Sequence, residues 1–82
     1  MTDETELVCV EIFRDNTPRG SAMSNEDMIS APIDSFGIDS LETMEFIMAV
    51  EDRFNIELNE EAVNRCRNLH DLAALAKTAR RV

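Results

Sequence analysis

The stretch Ile33-Asp34-Ser35-Phe36-Gly37-Ile38-Asp39-Ser40-Leu41 places Ile-Asp-Ser twice around a Phe-Gly pair and offers two serines that could carry chemistry. A nucleophilic catalytic serine needs a base within reach and donors for an oxyanion. The single histidine, His70, lies far downstream, and neither serine sits in a Gly-x-Ser-x-Gly elbow, so a self-contained serine hydrolase fails on the residues. His70 reads as an exposed residue near the start of a helix. A calcium loop of the EF-hand kind needs oxygen ligands at alternating positions before its glycine, whereas Pro32, Asp34 and Phe36 precede Gly37. Cys9 and Cys66 have no CxxC or Cys/His spacing for zinc and are too few for a disulfide framework. They read as small buried apolar residues in a reducing compartment.

A serine can also be a substrate. First-turn amides and the helix dipole favour phosphate, so a hydroxyl at a helix mouth suits a phosphodiester. Ser40 meets this description and Ser35, still in the loop, does not. Asp39 beside Ser40 repels casual anions and suits a modifying enzyme that brings its own cation.

The elements that must hold this site are helical. Residues 2–15 open with Thr2 or Asp3 as N-cap and with acids in the first turn, which favours a helix although LVCVEIF is β-branched enough for a strand. Both prolines and both glycines fall between Asn16 and Asp39, a long loop in which residues 24–29 can form one helical turn that brings Met28 and Ile29 to the core. Residues 40–54 form the clearest helix, with Ser40 as N-cap or first-turn residue and Asn55 as its stop. After an extended Ile56-Glu57-Leu58, Asn59 caps a short helix over 60–66. Asn68, with Asp71 three residues on, caps a last helix over 69–82 whose final turns hold Lys77, Arg80 and Arg81.

The helix over 40–54 has two apolar faces. At about 100° per residue, Thr43, Phe46, Ile47, Val50 and Phe54 share one arc, which is the core face. Leu41, Met44 and Met48 lie nearly opposite, interleaved with Glu45, Glu51 and Asp52. Either the bundle wraps both faces, or the exposed apolar groups have no role, as scattered surface apolars often do not, or the second face is a docking stripe in which Met and Leu make contact and acids orient a basic partner.

Length and charge bound the function. Eighty-two residues make one domain, 1–82, with a modest core, so its chemistry is simple or borrowed from an attached group. Eight basic against seventeen acidic residues leave a net charge of −9, which argues against nucleic acid and for partners with basic surfaces. No targeting segment or membrane span is evident, and the expected location is the cytoplasm.

Gly37-Ile38-Asp39-Ser40-Leu41, running into Glu42-Thr43-Met44-Glu45 and on to Phe54, resembles the modification site and acidic helix of acyl carrier proteins, and the resemblance extends from about Ile33 to Ala79. It implies an all-α, small four-helix bundle with three longer helices, a short third helix and a long loop between helices one and two. It implies that Ser40 receives 4′-phosphopantetheine from coenzyme A, that the arm's thiol carries acyl groups as thioesters, and that Asp39 and Leu41 help a phosphopantetheinyl transferase recognise the site. Glu42, Glu45, Glu51 and Asp52, with Leu41, Met44 and Met48, would face the basic docking patches of acyl-transferring and acyl-processing enzymes. Phe46, Val50, Leu58 and Cys66 would line the interior that shelters an acyl chain. The expected protein is a monomeric carrier without turnover of its own, serving fatty-acid, polyketide or specialised lipid synthesis. Phe36 before the glycine, and Arg65 and Arg67 near the third helix, depart from the family pattern and favour a specialised pathway. Aminoacyl, D-alanyl or peptidyl carriers, and an unmodified helical adaptor, are the alternatives.

Overall fold

The computed structural model describes residues 3–16 and 23–82. Among them the fold is helical: α1 (Glu4–Asn16), α2 (Asn25–Ser30), α3 (Ser40–Phe54), α4 (Glu60–Asn64) and α5 (Leu69–Thr78), with a 3-10 turn over Ile33–Phe36 between α2 and α3. The three longer helices, α1, α3 and α5, enclose the core with the short α4 beside them, which is the expected small all-α bundle. The helical turn expected inside the loop is α2, and it does bury Met28 and Ile29. Thr2, Pro18 and Gly20 lie outside the described residues.

Each helix starts on a side chain that accepts from its first-turn amides. Asp3 accepts from Glu6 N while Glu6 accepts from Asp3 N, a capping box over Asp3-x-x-Glu6. Asp39 and Glu42 repeat that box at α3. Ser24, Asn59 and Asn68 cap α2, α4 and α5. Ser40 is therefore the first residue of α3, and its cap is Asp39. Asn55 ends α3 in the left-handed conformation, at φ 54°, which asparagine tolerates better than most residues.

The core joins α1 to α3 and to the 3-10 turn through three rings. Phe13 lies 4.8 Å from Phe36 and 5.2 Å, edge to face, from Phe46, centroid to centroid. Val10, Leu69 and Leu72 close around them, all fully buried. With no Trp or Tyr in the chain, this Phe cluster supplies the large apolar surface that holds a small domain together. At the far end of α1, Arg14 donates to Met23 O (2.7 Å) and Asn25 Oδ1 (3.0 Å), which ties the loop's return to the helix it left.

Two boundaries differ from the sequence reading. The last helix ends at Thr78 rather than Val82, because Ala79 is extended and Arg80–Arg81 forms a strand, β2, antiparallel to β1 (Ile56–Glu57). The reversal at Asn55 sends Ile56 into the core while its backbone still needs partners. The C-terminal segment supplies them, and Val82 N donates to Asn55 O at 3.0 Å. Arg80 and Arg81 thus leave the helix dipole, and Lys77 alone remains in the last turn. The short helix stops at Asn64 rather than Cys66, because Arg65 N and Cys66 N turn back to Ala62 O and Val63 O in tighter bonds.

One ion pair was not legible in the sequence. Glu6, 8% exposed, is the buried charged residue among those described, and His70 Nδ1 lies 2.8 Å from its Oε2. The bond from His70 holds the Glu6 carboxyl below its ordinary 4.5, and the same contact raises His70 above its ordinary 6.5. Glu6's contribution to stability is present above pH 4.5 and lost as pH falls through its lowered pKa. His70's contribution is present below pH 6.5 and lost as pH rises through its raised pKa. The pair is therefore complete between pH 4.5 and 6.5. Thermal melts of the wild type and His70→Gln across pH should differ most inside that window, and the gap should close as pH climbs beyond it.

Candidate functional site

Position 40 is fixed from both directions along the chain. Upstream, Ile33 N donates to Arg67 O at 2.7 Å and Phe36 sits in the ring cluster, so the 3-10 turn is anchored on both α1 and the segment before α5. Gly37 then takes φ 67°, which favours glycine, although a Cβ there would meet no atom within 4 Å. Its requirement is conformational, not spatial. Downstream, Asp39 Oδ1 accepts from Glu42 N at 2.8 Å, Glu42 Oε1 accepts from Asp39 N at 3.2 Å, and Thr43 donates to Asp39 O from both its amide and its hydroxyl.

The two serines separate clearly. The Ser35 hydroxyl donates to Pro32 O inside the 3-10 turn. Ser40 is exposed at the mouth of α3, and its hydroxyl has no hydrogen-bond partner among the described residues. The Glu42 amide is taken by the cap, while the amides of Ser40 and Leu41 belong to the first turn and have no acceptor within the helix. An exposed hydroxyl beside such amides fits a phosphate ester.

The second apolar face of α3 is open to solvent: Leu41, Met44 and Met48 are 65%, 61% and 59% exposed. The core face is as the sequence indicated, with Phe46 and Val50 buried and Thr43, Ile47 and Phe54 half-buried. The four acids assigned to docking divide into two kinds. Glu45 and Asp52 are exposed. Glu42 is half-buried in the capping box, and half-buried Glu51 reaches across the turn to accept from Leu58 N at 3.0 Å.

Two depressions flank this helix. A cleft of about 480 Å³ lies between α3, the 3-10 turn and the α4–α5 connection, with Ile38, Phe46, Ile47, Val63, Cys66 and Leu72 as its apolar lining. A shallower groove of about 270 Å³ between α3 and α4 takes Met44, Met48, Leu58, Glu60 and Val63. Phe46 and Cys66, of the residues assigned to an acyl pocket, thus line the cleft, and Leu58 lines the groove. Val50 is fully buried in the core and lines neither. Val63 and Glu60 were missed as candidates, although the Asn59 cap that places them was readable. A third depression, of about 250 Å³, at Phe54, Ile56, Lys77 and Arg81 shares no residue with the cleft.

Neither cysteine is poised as a thiolate. Burial pushes the Cys9 thiol up to about 11, and burial, followed by the charge of Asp71, raises Cys66.

Comparison with known proteins agrees with this geometry. A model of the phosphopantetheine attachment-site family matches residues 11–76, most of the chain and all of the serine loop and α3. The chain belongs to that family. The cofactor such a site takes is 4′-phosphopantetheine, and an exposed hydroxyl in a capped first turn suits its phosphodiester. An acyl carrier protein homolog from Ureaplasma parvum serovar 3 is 40% identical over 48 residues, which make up 58% of this chain and 62% of that relative's length. No solved structure matches. No helix among the described residues is long and apolar enough to cross a membrane.

Asp39→Ala should cost about 1 kcal/mol, which for a domain of this size lowers the melting temperature by about 4–8 °C. Asp39→Asn, which can still accept from the Glu42 amide, should recover most of that loss in the same melts.

Proposed function

We propose that this chain is an acyl carrier: Ser40 bears 4′-phosphopantetheine, and partner enzymes act on acyl groups attached to it. The observation that carries this reading is the exposed Ser40 hydroxyl in the first turn of α3, without a partner among the described residues and held by the Asp39–Glu42 box within the region the family model matches. When bound, the arm supplies a terminal thiol that holds an acyl group as a thioester. The chain supplies position. The cap and the Phe36 anchor fix where the arm is attached, and a tethered group reaches successive partners at high effective concentration. In this reading the chain has no turnover of its own.

A phosphopantetheinyl transferase would meet Asp39, Ser40 and Leu41, the exposed residues at the mouth of α3. Acyl-processing partners would dock on Leu41, Met44 and Met48, with Glu45 and Asp52 as the charges that complement their basic patches. Glu42 and Glu51 support this face through the backbone they hold, and their carboxylates remain part of its field. The net charge of −9 suits a monomer that works in the cytoplasm with basic partners and not with nucleic acid. Asp39 before the serine and the acidic α3 favour acyl over aminoacyl or peptidyl cargo. The pathway is fatty-acid, polyketide or specialised lipid synthesis, with Arg65 and Arg67 weighing toward the last.

Incubation with coenzyme A and a broad-specificity phosphopantetheinyl transferase should add one phosphopantetheinyl group by intact mass. Ser40→Ala should abolish the gain and Ser35→Ala should retain it; no gain with several transferases leaves an unmodified adaptor as the better reading. On the docking face, Met44→Glu or Glu45→Lys should slow processing by a partner enzyme by about tenfold, the equivalent of about 1.4 kcal/mol, with the helical circular-dichroism signal unchanged.

A further inference from the structure

We propose that the cleft beside α3 selects acyl groups whose far end carries a carboxylate, and that Arg67 recognises that end. This inference rests on the carrier reading above and names the cargo class for the same site. The cleft begins within one helical turn of the attachment serine, since Ile38 and Thr43, which both line it, bracket Ser40 in sequence. Its floor is hydrocarbon. Its polar lining consists of Asp34, Thr43, Asn64 and Arg67.

Arg67 is held at the rim by its own backbone: its N–H donates to Asp71 Oδ2 at 3.1 Å, and its carbonyl accepts from Ile33 N at 2.7 Å. The stem therefore leaves from a point fixed by the α5 cap on one side and the 3-10 turn on the other. Its side chain is exposed and makes no ion pair or hydrogen bond among the described residues, although Asp34 lines the same cleft. An unengaged planar guanidinium over an apolar floor suits a carboxylate, which it can bind through two parallel N–H donors. A chain ending in methyl gains the floor alone, and any desolvation of the rim counts against it. Asp34 is the competing charge and would favour a cargo ending in an amine. Arg65, two positions before Arg67, is likewise exposed.

The test loads Ser40 enzymatically from three acyl-coenzyme A derivatives of equal chain length ending in methyl, carboxylate or ammonium, with intact mass confirming complete loading and thermal melting as the readout. The carboxylate-terminated form should melt at least about 4 °C above the methyl-terminated form. Arg67→Gln should remove that gap without changing the melting of the unloaded protein. Arg67→Lys, which keeps the charge but not the fork, should retain part of it, and Asp34→Asn should widen it. Complete loading with no gap, a gap that survives Arg67→Gln, or a higher melt for the ammonium form overturns the inference and leaves the carrier reading intact. Failure to load at Ser40 overturns both.

Discussion

The structure depends on the seating of Phe13 between Phe36 and Phe46. These three rings join α1, the 3-10 turn and α3, elements separated by a loop that holds every proline and glycine in the chain. A loop of that composition has no local reason to end in a defined place, and ordering it costs entropy. Burying Phe36 against Phe13 offsets that cost and fixes the chain one residue before Gly37. Three residues later Ser40 emerges at the start of a helix that the same cluster holds through Phe46. The position of the hydroxyl is thus a consequence of core packing.

Acidic residues serve two purposes in this chain. Asp3, Glu6, Asp39, Glu42, Glu51 and Asp71 each accept a backbone amide, and Asp3 also pairs with Lys77. They terminate helices and brace turns, so part of the large negative charge is structural. Glu45, Asp52, Glu60 and Glu61 remain exposed around the apolar stripe of α3 and the neighbouring α4. Around such a surface charge steers encounter, while open methionines adapt to several shapes.

What could be read in the sequence was local. The Asn59 and Asn68 caps, the stop at Asn55 and the two faces of α3 depend on neighbours within one or two turns. The choice of helix over strand for α1 turned on acids in its first turn, and Asp3 and Glu6 do form a capping box there. Features that join distant segments were not legible. The β1–β2 pairing pulls Arg80 and Arg81 out of the last helix because Ile56 needs a partner across the fold. The Glu6–His70 pair spans α1 and α5, and the Glu51 contact to Leu58 gives a structural task to a residue whose spacing suggested only docking. Val50, which the family resemblance placed among the pocket residues, is fully buried in the core and lines neither the cleft nor the groove.

If the chain is a carrier, the serine at the mouth of α3 bears the cofactor. A proton–phosphorus correlation spectrum of the protein after reaction with coenzyme A and a transferase tests it directly. A single phosphodiester resonance coupled to the Ser40 β-protons is the predicted result. Coupling to Ser35 or another residue, or no protein-bound phosphodiester at all, would rule out Ser40 as the attachment point.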